Sequence, residues 1–155
     1  MRTIDQLLSE APAFSGMSSD QLELIAGCGL NRVFEDGEYV MREGEPADVF
    51  YVLRSGRVAL EVYMPGRGAL TIETLDHGEL LGWSWLVPPY RVAFDAKAIG
   101  TVHAIAFDGA CLRGKSDQDT ELGYELMKRI VPVLVERLQA TRVQLLDVYG
   151  GPGPV

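Results

Sequence analysis

Between Asn31 and Phe107 the chain is written as short β-forming runs cut by turn residues. RVF is followed by EDG, EYVM by REGEPAD, VFYVLR by SG, RVALEVYM by PGRG and ALTIETL by DHG; ELLGWSW follows, then VAFDAKAI and VHAIAF on either side of Gly100. About eight short strands at this spacing predict a mainly β domain, an eight-stranded barrel or jelly roll. They leave no room for the crossover helices of a parallel sheet. Glycines at 37, 44, 56, 66, 68, 78, 82 and 100 fall where strands are expected to turn.

Both flanks read as helical. Residues 1–30 carry N-terminal helices, and Ser18-Ser19-Asp20-Gln21 is a capping box ahead of Leu22, Leu24, Ile25 and Ala26. That helix is expected to stop at Gly27 to Gly29. Residues 108–149 carry C-terminal helices, a short one near Asp108 to Lys115 and a long one from Thr120 to Tyr149, kinked at Pro132. GGPGPV ends the helix, so 150–155 reads as a tail. On the long helix, steps of three and four residues pick out Tyr124, Met127, Val131, Leu134, Leu138, Thr141, Leu145 and Val148. A second face holds Leu126, Ile130 and Val133. One stripe packs on the β domain and the other is free to pair with a second copy, so a parallel homodimer is expected; a monomeric helix with a broad buried face is the alternative.

The formal net charge of -8 opposes the cationic surface that nucleic acid requires. No apolar run reaches the roughly 20 residues of a membrane span, and MRTIDQLLSEAPAF lacks a signal peptide's apolar segment. A cytoplasmic location is expected, with neither membrane nor direct nucleic-acid contact. Cys28 and Cys111, far apart and outside any CxxC, read as two small buried thiols rather than a metal site or a disulfide. Only His77 and His103 are present, not in HxH spacing, and no P-loop, GxSxG or HExxH occurs. That excludes a cupin-type metal site and leaves catalysis without its residues, so no enzyme and no cofactor are expected.

The order of elements resembles the cyclic-nucleotide-binding domain of the Crp/Fnr family, as one domain over residues 1–155. FSGMSSDQLELIA is similar to that family's N-terminal helix, and FEDGEYVMREGEPADVFYVLRSGRVALEV to its first hairpins, with Gly37, Glu38, Gly44, Asp48, Gly56 and Val58 at matching spacing. ERLQATRVQLLDVYG resembles the end of its dimer helix. The likeness covers residues 13 to 149, with the barrel over 31–107.

On this resemblance GWSWLVPPYRVAF, residues 82–94, falls on the phosphate-binding cassette, a short helix inserted between strands. There, backbone N–H groups and an arginine hold the cyclic phosphate and a glutamate accepts the ribose 2′-hydroxyl. Gly82 matches the glycine and Arg91 the arginine, while Trp83 stands where the glutamate would, Trp85 replaces a small residue, and Tyr90 a proline. Val92-Ala93-Phe94 replaces a small or hydroxyl run. Thr141 matches a base-contacting position on the dimer helix, followed by Arg142 in place of a small hydroxyl residue. The implied ligand-binding set is Gly82, Trp83, Ser84, Trp85, Arg91, Val92, Ala93 and Thr141.

The phosphate anchor is thus kept and the ribose anchor lost. A buried hydroxyl without its partner costs about 1–3 kcal/mol, which argues against ordinary cyclic AMP binding. Three readings follow. Arg91 binds a flatter or more apolar anion beside the tryptophans; or Trp83 and Trp85 fill the pocket, Arg91 pairs with a carboxylate such as Asp95, and the chain is a ligand-free dimerisation scaffold; or a cyclic nucleotide binds weakly in an altered pose. Relatives of this kind continue past the dimer helix into a helix-turn-helix, and this chain stops at Val155. The expectation is a stand-alone effector-binding dimer that signals through a protein partner.

Overall fold

The computed structural model describes residues 2–150, apart from the side chains at 144 and 147–150. Helix α1 (Ile4–Glu10), a 3-10 turn (Pro12–Phe14) and α2 (Ser19–Ala26) open the chain. Ser18 caps α2 as its spacing requires: its hydroxyl accepts from the Gln21 N–H, and the Gln21 side-chain oxygen accepts from the Ser18 N–H, each at 3.1 Å. Six strands follow, β1 (Gly29–Phe34), β2 (Tyr39–Met41), β3 (Val49–Met64), β4 (Gly68–Leu75), β5 (Leu80–Leu81) and β6 (Asp95–Asp108), then α3 (Gly109–Gln118) and α4 (Thr120–Gly150).

The expected eight-stranded jelly-roll barrel does not form. The strands make one six-stranded sheet in the order β1-β6-β3-β4, with β2 pairing β6 and β5 pairing β3 off that path. The path does not close, and the domain is mixed α/β rather than a barrel. The strand count falls because two expected turns are not turns. VFYVLR and RVALEVYM are one strand, β3, carried through Ser55-Gly56 by register shifts against β6 at Leu53/Ser55 and Ser55/Arg57. Gly56 has φ 86°, and a Cβ there would collide with the Thr101 carbonyl oxygen. The DAKAI of VAFDAKAI and the whole of VHAIAF likewise belong to one strand, β6, which runs through Gly100 without breaking.

Both faces of the long strands are covered, which explains their unbroken apolar runs. Phe50 and Val52 on β3, with Ile105 and Phe107 on β6, join a cluster with Phe14, Ile25 and Trp85 and the α4 residues Leu122, Leu126 and Ile130. The alternate residues, Tyr51 and Leu53 on β3 and Ala104 and Ala106 on β6, join a second cluster with Phe34, Leu60, Leu75 and Phe94. The face of α4 predicted to pack inward therefore does so. Its other stripe is exposed at Tyr124, Met127, Val131, Leu138 and Leu145, while Leu134 is half-buried. Val148, placed on that stripe by the sequence, lies outside the described side chains, as do residues 151–155 outside the described chain. Among the described residues no helix is long and apolar enough to cross a membrane.

The two cysteines are not free thiols, contrary to expectation: Cys28 and Cys111 form a disulfide across 83 residues of sequence, with Cα atoms 5.7 Å apart. The pairing of β1 with β6 sets Gly29 against Phe107, so the Asp108 N–H donates to the Cys28 carbonyl at 2.8 Å. Asp108 also caps α3, its side chain accepting from the Cys111 N–H at 3.0 Å. The strand register and the cap together bring the second cysteine to the first.

Candidate functional site

Residues 82–94 leave β5 through Gly82 at φ 90°, where a Cβ would press on Val49 and Met41 at 3.2 Å. No helix follows, correcting the short helix implied for this segment. Pro88 and Pro89 have no N–H to donate, and single turns replace it: Leu86 N–H to the Trp83 carbonyl at 3.1 Å and Tyr90 N–H to Val87 at 3.0 Å. The far limb is laced to residues 44–47, with Ala47 donating to Tyr90 at 2.8 Å, Val92 to Glu45 at 2.9 Å and Gly44 to Val92 at 2.9 Å.

That lacing turns Arg91 outward. It is exposed, and its Nη1 donates to the Gly44 carbonyl at 3.4 Å. Asp95, a candidate partner for it, instead accepts from the Glu43 N–H at 2.7 Å and lies 3.5 Å from Arg42. The tryptophans also part company. Trp85 is 1% exposed, packs on Phe50 with ring centres 5.8 Å apart, and presses so close to Gly109 that a Cβ there would lie 2.9 Å from its own. Arg113 on α3 donates to the Trp85 carbonyl and covers the Tyr90 ring at 4.6 Å. Trp83 is half-buried and faces a cavity.

This cavity, of ≈ 380 Å³, lies between the sheet and α4. Leu60 and Ile72 come from β3 and β4, Trp83 and Phe94 from the two ends of the loop, and Leu134, Leu138 and Thr141 from α4. Of the predicted ligand set it gathers Trp83 and Thr141. Gly82, Ser84, Val92 and Ala93 line a separate cleft of only ≈ 10 Å³ behind Phe94, with room for no more than about one water. Trp85 belongs to the core, and Arg91 touches neither space.

The cation that does line the cavity is Arg137, which the residue-by-residue reading passed over. Its side chain is 13% exposed; Nη2 donates to the Leu80 carbonyl at 2.7 Å, and Nε lies 3.6 Å from a Glu73 carboxylate oxygen. Nε and Nη1 are buried without a hydrogen-bond partner among the described residues. Burial lowers its affinity for a proton below the usual guanidinium value, opposed by Glu73, Glu79 and Glu136. Thr141 donates its hydroxyl to the Arg137 carbonyl at 2.8 Å. The signal for Arg137 was present in ERLQAT, because a residue four before Thr141 shares its helix face. Two turns earlier Arg129 is better served: its Nη atoms donate to the Glu125 carbonyl at 2.9 Å, the Glu125 carboxylate at 2.6 Å and the Ser15 carbonyl at 2.6 Å. Among the described residues no group of His, Cys, Asp and Glu could hold a metal ion.

A largely apolar chamber is thus walled by a sheet on one side and a long helix on the other, with Arg137 in its lining. The family profile described as Cyclic nucleotide-binding domain matches residues 31–119, more than half of the chain, and the chain belongs to that family. A CRP-like cAMP-activated global transcriptional regulator of Mycobacterium tuberculosis is 25% identical over 145 residues, covering 94% of this chain and 63% of the regulator. A cGMP-dependent protein kinase of Caenorhabditis briggsae is 30% identical over 80 residues, 51% of this chain and 11% of the kinase. The chain thus spans less than two thirds of the length of either relative. A solved cyclic nucleotide-binding domain from Methylobacillus flagellatus has the same fold, with a TM-score of 0.78 over 94% of this chain and 82% of that one at 16% identity. The domain is related in sequence to a CRP-like transcriptional regulator and to cyclic-nucleotide-dependent kinase chains.

Proposed function

We propose that the chain is a Crp/Fnr-type effector-sensing module that takes a small anionic ligand between the sheet and α4, works as a homodimer through α4, and signals to a protein partner. Residues 1–155 act as one domain, in the cytoplasm, without direct contact to DNA or membrane.

One observation carries the reading: Leu134, Leu138 and Thr141 belong at once to the cavity wall and to the heptad stripe of α4. A ligand that fills the cavity presses on the residues a second α4 would pack against, so occupancy and helix pairing share one free energy. Trp83, in place of the ribose-binding carboxylate, makes an ordinary cyclic nucleotide a poor fit.

Thermal unfolding with cyclic AMP, cyclic GMP and a panel of anionic metabolites tests the sensing role; a rise in Tm with one of them is expected. No shift with any compound would favour a ligand-free dimerisation scaffold. Light scattering tests the dimer, which a mass of 17.0 kDa at working concentration would contradict.

A further inference from the structure

Helix α3 has little of its own to stand on. GACLRGKSDQ is 10 residues with Gly114 in its interior, shorter than the about 12–15 that hold a helix in water by themselves. Leu112 is the one side chain it sinks fully into the core. Its ties to the rest of the chain include the Gly109 N–H to the Asp48 carbonyl at 2.8 Å, Lys115 Nζ to the Leu24 carbonyl at 2.6 Å, and the covalent bond from Cys111 to Cys28.

Yet loop 82–94 and α4 both lean on it. Arg113 donates to the Trp85 carbonyl and covers the Tyr90 ring at 4.6 Å, so one side chain grips the loop on either side of Pro88-Pro89. Gly109 lies so close to Trp85 that a Cβ there would meet the tryptophan's own at 2.9 Å. At the other end Asp119 accepts from the Leu122 N–H at 3.2 Å, and a Cβ on Gly123 of α4 would lie 3.3 Å from Ser116.

The two cysteines are placed to part and rejoin. Gly29 pairs Phe107, the Asp108 N–H donates to the Cys28 carbonyl, and the Asp108 side chain accepts from the Cys111 N–H, all without the help of the S–S bond. The thiols therefore stay neighbours when reduced. A chain of 155 residues with two apolar clusters is large enough to fold without a staple. In the cytoplasmic location proposed above, dithiols keep most cysteines reduced, and a disulfide formed there is as a rule a transient one.

We infer that Cys28 and Cys111 are a redox-modification site, a reversible thiol–disulfide switch that sets how firmly α3 holds loop 82–94 and the start of α4. A dithiol reductant attacks one cysteine sulfur as its thiolate, forming a mixed disulfide and releasing the other cysteine as a thiolate. The reductant's second thiolate then displaces the first cysteine and closes the reductant's own disulfide. Two electrons pass to the chain, the two protons given up by the reductant end on Cys28 and Cys111, and the S–S bond lost here is gained there. In the reduced state α3 rests on Leu112 and a few hydrogen bonds, and its grip on Trp85 and Tyr90 loosens with it.

Amide hydrogen exchange of the whole chain, oxidised and then in millimolar dithiothreitol, tests this without any ligand, so its outcome is independent of what the chamber binds. Expected on reduction is exchange at least roughly tenfold faster across residues 109–118 and at the Leu86 and Tyr90 amides, with β3 and β6 still protected. Oxidised glutathione should restore the slow rates. The double variant Cys28→Ala/Cys111→Ala should show the fast rates with and without dithiothreitol; the reduced and reoxidised parent carries the test if that variant folds poorly. A bond that resists dithiothreitol in the folded chain, or whose loss speeds exchange throughout β3 and β6, is a structural staple and overturns the switch. So does a reduced state that oxidised glutathione does not reverse. Faster exchange confined to α3, with Leu86 and Tyr90 unchanged, overturns its hold on the loop, and reduction with no change in exchange overturns both.

Discussion

Arg91 and Arg137 stand in opposite surroundings. Arg91 holds the position that a phosphate cradle would use, yet the bonds lacing residues 90–92 to residues 44–47 leave it exposed with one long contact to the Gly44 carbonyl. Arg137 occupies no motif position singled out in the sequence, yet α4 lays it over β4 and β5 beside the apolar chamber that Trp83 and Thr141 share. A cation in water is already solvated and screened, whereas a buried one with unpartnered N–H groups gains from every acceptor it meets. Position in a motif names a residue; its surroundings in the fold decide whether it lines a chamber or faces water. The tryptophans repeat the contrast, Trp85 sunk in the core and Trp83 at the chamber wall.

The largest expected difference lies between those two rings. Trp85→Ala should lower the free energy of unfolding by about 3–5 kcal/mol in urea titrations, because it empties the space against Phe50 and Gly109. Trp83→Ala should cost less than about 2 kcal/mol, since part of its surface is already free. Equal losses would erase the distinction between core and chamber. Next in size is the disulfide on the Trp85 side of the molecule. Cys111→Ser, or reduction of the bond, should cost about 2–4 kcal/mol and lower the Tm by on the order of 10 °C. An unchanged Tm on reduction would mean the bond does not bridge α3 to the sheet in solution.

Smaller effects test the arginines themselves. Arg137→Met should leave stability within about 1 kcal/mol of the parent or raise it, since it replaces a poorly compensated buried cation with an apolar chain. Arg91→Ala should change it by less than about 0.5 kcal/mol. A loss of several kcal/mol in Arg137→Met would mark that residue as structural. The least effect is at Glu125, whose carboxyl is held below its ordinary value by hydrogen bonds from Lys128 and then Arg129. Its folded-state value is depressed, so the stability it contributes is present above the unfolded value and is lost as pH falls through the folded one. A side-chain NMR titration with a midpoint at or above the ordinary carboxylate value would contradict that pairing.

What is local in this chain is legible from its residues. Ser18 and Gln21 cap α2 through bonds within four residues, and the periodicity of α4 separates Leu126 and Ile130 from Met127 and Val131 before any packing is known. What depends on distant partners is not. Ser55-Gly56 has the composition of a turn, and only the Thr101 carbonyl across the sheet reveals a bulge that lets β3 run on. The open sheet follows from that bulge and from Gly100, so the barrel was an error of strand count compounded into topology. Cys28 and Cys111 meet only after β1 pairs β6. Arg137 finds its carbonyl 57 residues away on Leu80, a contact no window on the helix contains.

A crystal structure of the chain soaked with whichever anionic compound raises its Tm most tests the central claim most directly. The account predicts ligand density in the chamber between the Trp83 ring and α4. Density seated instead against Arg91 and the Gly44 carbonyl would contradict it.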